Sequence, residues 1–148
     1  MKRQHLTLND INIGDYVQEW MEIPGKWGPP MYIDGIFANG DIYLDLNGNE
    51  ADPFDANVSN IFDIPIDFGI LPHFGFFEAE HHLYQIEYEG LLLMVNVYKH
   101  FETFIVKAML VNNDTQKIVL STGSLNSVRT LQHWFYENTG VALKLDFN

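Results

Sequence analysis

Glu78, Glu80, His81 and His82 form the densest run of ligand-type side chains in the chain. Carboxylates beside imidazoles are what a divalent metal or an acid–base pair requires. In a strand, however, neighbouring residues point to opposite faces, so His81 and His82 would not converge on one ion. No metal site is expected there. His100 and His133 are isolated along the sequence, and a base needs both a partner and an orienting group. The run Asp45-Leu46-Asn47-Gly48-Asn49-Glu50 offers calcium-type oxygens, but the calcium-loop template wants glycine sixth and glutamate twelfth. Here Gly48 is fourth and Ala56 is twelfth, and a turn between strands accounts for the run better. Ser121, Ser124 and Ser127 carry hydroxyls but lie in no nucleophile elbow; Ser124 suits a helix cap. The carboxylate pairs Asp52/Asp55 and Glu87/Glu89 could work as acid and base across a cleft, yet solvated faces explain them more simply. Cysteine is absent, as is any phosphate-binding glycine-lysine loop. No catalytic residue, metal or cofactor is assigned, and a non-catalytic role is expected, with a small-ligand binder or enzyme as an alternative.

Aromatic residues carry more. Tyr16, Trp20, Trp27 and Tyr32 gather around the first long break of the chain, which contains Pro24-Gly25 and Gly28-Pro29-Pro30. Rings beside such a loop can line a groove for an extended, proline-rich peptide. They can also cover the open end of a small core. These four are the candidate binding residues, and the partner they imply is a protein.

Charge narrows the choice of partner. The formal net charge is −12 over 148 residues. Residues 27–98 hold no Lys or Arg and twelve carboxylates, and the rest of the chain is balanced. Direct nucleic-acid binding needs a basic footprint and is not expected. A basic partner, mimicry of a polyanion, or plain solubility each fits the excess. The longest apolar run, 91–95, is far short of a membrane span, and the start of the chain lacks a signal-peptide core. A cytoplasmic location with no membrane contact is the expectation.

The elements that position these residues follow from spacing. Residues 31–37 form a strand, Asn39-Gly40 a hairpin turn and 41–46 the return strand. Asn47-Gly48-Asn49 is a second turn, and a third short strand lies near 58–64. One helical turn fits 68–73, interrupted by Pro72 and ended by Gly75. Then 83–88, 91–98, 103–111 and 117–121 form an antiparallel meander, with turns at Glu89-Gly90 and Asn112-Asn113-Asp114. Leu125, Val128, Leu131 and Phe135 recur at helical spacing over 124–138, with Ser124 as cap and Gly140 as left-handed stop. Val141, Leu143, Leu145 and Phe147 alternate like a last strand. Strand 91–97 could pair with a second chain if it lay at an edge, which leaves a homodimer possible.

Three segments carry a resemblance: INIGDYV at 11–17, DIPIDFGILPHFGF at 63–76 and LNSVRTLQHWFYENTGVAL at 125–143. Their order and spacing resemble an uncharacterised family of small proteins from gut-type anaerobic bacteria and their phages and mobile elements. Val128, Leu131, Gln132, Phe135, Thr139 and Gly140 sit on its terminal motif, and Arg129 and His133 depart from it. The resemblance implies a layout and no activity. The expected fold is α+β: an SH3-like small β-barrel or curled sheet over 1–66, then an antiparallel sheet with one C-terminal helix over 67–148. The two parts either share one core or fold separately.

Overall fold

Strand-forming residues dominate the chain. The computed structural model describes residues 3–47 and 51–148, which hold eleven strands, two 3-10 turns and two helices. They fall into two compact units, Met1–Pro65 with Phe147, and Ile66–Asp146 with Asn148.

The first unit is a curled sheet. It opens with a 3-10 turn at Leu8–Asp10, where the Thr7 N–H and hydroxyl both donate to the Asp10 carboxylate. Strands β1 (Tyr16–Met21), β2 (Lys26–Trp27), β3 (Met31–Ile36), β4 (Asp41–Asp45) and β5 (Phe54–Asn57) follow. A second 3-10 turn, Val58–Asn60, leads into β6 (Ile61–Phe62). The hydrogen-bonded order is β2-β1-β3-β4-β5, with β6 also on β1. The turn at Val58–Asn60 therefore joins the far end of the sheet back to its beginning. That closure makes the unit a half-barrel around Leu6, Ile11, Val17, Met31, Ile33, Ile42, Leu44 and Ile61.

The Asn39-Gly40 turn is present. Gly40 has φ +95°, and the Asn39 side chain accepts from the Asp41 N–H. A register shift between Ile33 and Gly35 leaves Asp34 as the extra, exposed residue. Gly35 then lies under Tyr43; a Cβ there would meet the Tyr43 ring at 3.1 Å. Two strands flank the 3-10 turn at Val58–Asn60, where one was expected near 58–64. The turn Asn47-Gly48-Asn49, and with it the calcium-like run, extends outside the described residues.

The second unit is an antiparallel meander. The short helix α1 (Ile70–His73) begins after Gly69, and just before it the Asp67 Oδ1 accepts from the Gly69 and Ile70 N–H groups. Pro72 is tolerated because it lies in the first turn, where its missing N–H has no helical partner to lose. Strands β7 (Phe77–Glu80), β8 (Leu83–Tyr88), β9 (Leu91–His100), β10 (Thr103–Asn112) and β11 (Ile118–Leu120) lie in the order β11-β10-β9-β8-β7. β9 is thus central and bonded on both sides, which corrects the idea that it could offer a free edge. Tyr84, Leu93, Val95, Val97, Val106, Ala108 and Leu110 are buried along one face.

Helix α2 (Val128–Thr139) buries Val128, Leu131 and Phe135, and the Phe135 ring meets Tyr88 edge-to-face at 6.1 Å. Its cap is Ser127, not Ser124. Ser127 Oγ accepts from the Thr130 N–H, and Thr130 Oγ1 accepts from the Ser127 N–H. Ser124 Oγ instead accepts from the Val106 N–H. Gly140 ends the helix at φ +71°. Residues 141–147 alternate in burial as expected, with Leu143 and Leu145 inside, but they form no ladder strand. Side chains hold this segment instead: Gln132 Nε2 donates to the Leu143 carbonyl. Among the described residues no helix is long and apolar enough to cross a membrane.

Candidate functional site

Strand β1 organises the aromatic residues. Its side chains alternate, so Val17 enters the core while Tyr16, Gln18 and Trp20 share the other face. Each of the three has an antiparallel partner from a different strand: Tyr16 opposite Tyr32, Gln18 opposite Phe62 and Trp20 opposite Trp27. The chain break around Pro24-Gly25 is therefore the tip of a hairpin. Trp20 and Trp27 are cross-strand neighbours within it, not loop residues, and cross-strand aromatic pairs stabilise a sheet face. Gly25 closes the tip at φ +65°, and Ile23 stands fully exposed upon it.

The two indoles meet edge-to-face at 5.1 Å, and Trp27 meets Phe62 at 5.1 Å. His5 lies 4.9 Å from Phe62, and the Arg3 guanidinium stands 4.4 Å over Trp27. Arg3 is steered there by its Nε donating to Gln18 Oε1. Gln18 in turn donates from Nε2 to the Gly28 carbonyl, fixing the chain after β2. Trp20, Trp27 and Phe62 are all half-buried. Glu19, on the opposite face of β1 beside Ile61, has its carboxyl pushed up by burial.

The two tyrosines sit differently. Tyr16 is 2% exposed, and its hydroxyl accepts from the Phe147 N–H. Tyr32 is half-buried, 5.9 Å from Tyr16, and lies opposite Asp45 in the β3–β4 ladder. Burial first, then the charges of Asp45 and Asp34, push its phenol up. Of the four candidate residues, the structure sets Trp20 and Trp27 in one cluster and Tyr16 and Tyr32 in another along the same strand face. Sequence reasoning missed Arg3, His5 and Phe62, which join the tryptophans only through long-range pairing.

A hollow of about 560 Å³ lies elsewhere on this unit, lined by Phe37, Asp41, Tyr43, Asp55 and Asn57. Phe37 and Tyr43 meet edge-to-face at 5.0 Å, and Asp55 is the register partner of Tyr43.

No protein-family model, curated protein or solved structure matches the chain.

In the second unit, the histidine pair departs from expectation. His81 and His82 occupy a turn, with His82 at φ +61°, and their rings are 3.7 Å apart instead of on opposite faces. His82 stacks on Phe68 at 3.8 Å, and Phe68 meets Phe104 edge-to-face. Ring packing thus occupies the faces of these imidazoles. Among the described residues no group of three or more His, Cys, Asp or Glu side chains could hold a metal ion.

Proposed function

We propose that the protein is a non-catalytic interaction protein that engages a protein partner through the Trp20–Trp27 hairpin. The observation that carries this reading is the pairing of two half-exposed indoles, Trp20 on β1 and Trp27 on the two-residue edge strand β2. Large rigid rings with a polar N–H suit protein contacts, and Trp is enriched where interfaces draw most of their energy. Arg3 and Gln18 hold the rings in place, so little side-chain freedom is lost on docking. An extended, proline-containing segment is the partner chemistry such a ridge favours. The ordered motifs at 11–17, 63–76 and 125–143 support placing the chain among small bacterial or mobile-element proteins, and a cytoplasmic role accompanies that placement.

The test is capture from source-cell lysate by tagged wild-type protein and by Trp20→Ala and Trp27→Ala, at low and high salt. The expected result is one stoichiometric partner, kept at high salt and lost in both variants, whose circular dichroism is unchanged. Capture that survives both substitutions overturns the assignment to the hairpin.

A second reading rests on the acidic hollow. Asp41 and Asp55 flank two exposed rings in a stretch without any Lys or Arg. Carboxylates beside aromatic faces suit guanidinium and ammonium groups. In this reading the protein occupies the basic surface of a nucleic-acid-binding protein. Partner binding would then collapse as salt rises and would be insensitive to Trp27→Ala.

A further inference from the structure

The five-stranded sheet has a second face. Period two along β9 and β10 buries Leu93, Val95 and Val97 with Val106, Ala108 and Leu110. The alternate residues point the other way. There Leu92 pairs with Val111, Met94 with Met109 and Tyr98 with Ile105. Ile118 and Leu120 of β11 extend this apolar stripe beside Val111 and Met109. Leu120 is 63% exposed, Ile118 58% and Tyr98 44%. On an ordinary antiparallel sheet the solvent face is polar. On this face β8, β9 and β10 carry one cation, Lys107 opposite Asn96, and one carboxylate, Glu87 opposite Leu92, and Glu80 of β7, opposite Leu83, adds a second carboxylate at the rim.

We propose that a second copy of this chain covers this face, sheet on sheet about a two-fold axis. Size is the first argument. Strands of ten, ten, six, four and three residues give the face an area on the order of 500 Å², from the rise per residue and the strand spacing. Two copies bury roughly 1,000 Å², where specific interfaces begin. Charge is the second. Two chains of net charge −12 repel each other. With one cation against two carboxylates, this face is far less acidic than the chain as a whole, so two copies approach here with the least repulsion. Lys107 and Glu87 on the same patch also give it the self-complementary signs that an isologous contact needs. The cross-strand pair Met94–Met109 supplies side chains that adapt to a copy of themselves. Stacked sheets would sit about 10 Å apart with interleaved side chains.

Sedimentation of the full chain from about 1 µM to about 1 mM tests this over the range of weak to moderate association. The expected result is a monomer–dimer equilibrium that tightens with added salt, as screening weakens the repulsion. Leu120→Glu, at an exposed position, is expected to raise the dissociation constant about tenfold or more while leaving the circular dichroism unchanged. Methyl NMR of the wild type gives a check that needs no variant: Met94 and Met109 resonances shift on dilution, and Met31 in the first unit's core stays fixed. A chain that is monomeric throughout overturns the proposal. So does a dimer whose Met94 and Met109 signals ignore dilution, or one that Leu120→Glu leaves intact.

Discussion

Tyr84 shows how much one phenol can report. It is fully buried on β8, donates to the Phe68 carbonyl, and lies beside Glu78. Burial, then Glu78, then Asp67, push its ionisation up to about 12 from a usual value near 10. Between those values the unfolded chain has released a proton that the folded chain still holds. Stability is therefore whole below pH 10 and falls as pH rises from 10 towards 12. Thermal melts of Tyr84→Phe should start lower at neutral pH, because the hydrogen bond is gone, and then lose less across that alkaline window than the wild type. A parallel decline in both proteins would place the titration elsewhere. The candidate site was half-legible at this scale. Trp20 and Trp27 stood out by type, but Pro24-Gly25 between them looked like a loop break and hid their pairing. Phe62 lay too far along the chain for any local signal to bring it to Gln18.

Among the elements, legibility followed burial. β3, β4, β8, β9 and β10 were read within about two residues, because one or both of their faces are apolar. β5, with sequence FDAN, and β7, with FEAE, escaped. Both are peripheral, and the residues of β7 are all exposed, so neither carries the alternation that marks a strand. The helix was plain but its start was misplaced by one turn. Ser124 and Ser127 are both suitable caps; Thr130 decides between them by completing a reciprocal pair with Ser127 alone. Replacing Ser127 with Ala should cost about 1 kcal/mol, the usual worth of an N-cap. That corresponds to a fall in Tm of roughly 2–4 °C for a chain of this size. Differential scanning calorimetry would measure it, and an unchanged Tm would remove the capping role. The segment 141–147 carried a strand's pattern without a strand's partner, which periodicity alone cannot distinguish.

For the molecule as a whole, the acid excess sets a cost that salt should relieve. Residues 27–98 hold twelve carboxylates and no Lys or Arg, and self-repulsion of that kind favours expansion. Raising ionic strength from about 0.01 M to about 1 M shortens the screening length from roughly 30 Å to roughly 3 Å. The melting temperature should climb over that range. A flat or falling curve would mean that local partners already neutralise the carboxylates. The α+β layout, a curled sheet followed by a meander and one long helix, was accessible from turn residues and spacing. What they left open was how each sheet is ordered, since strand order depends on pairings across tens of residues.

Closure of the curled sheet by the Val58–Asn60 turn has a consequence for a chain that emerges from the ribosome in sequence order. β1 acquires β2 and β3 as soon as residue 36 is free. Its Gln18–Glu19 stretch must wait for Ile61 and Phe62. Until then the nascent protein presents an open strand edge flanked by Trp20, with Ile61 missing from the core. Such edges recruit other chains. A pause in synthesis before residue 62 would thus be the moment of greatest aggregation risk, and the turn that completes the half-barrel also ends that exposure.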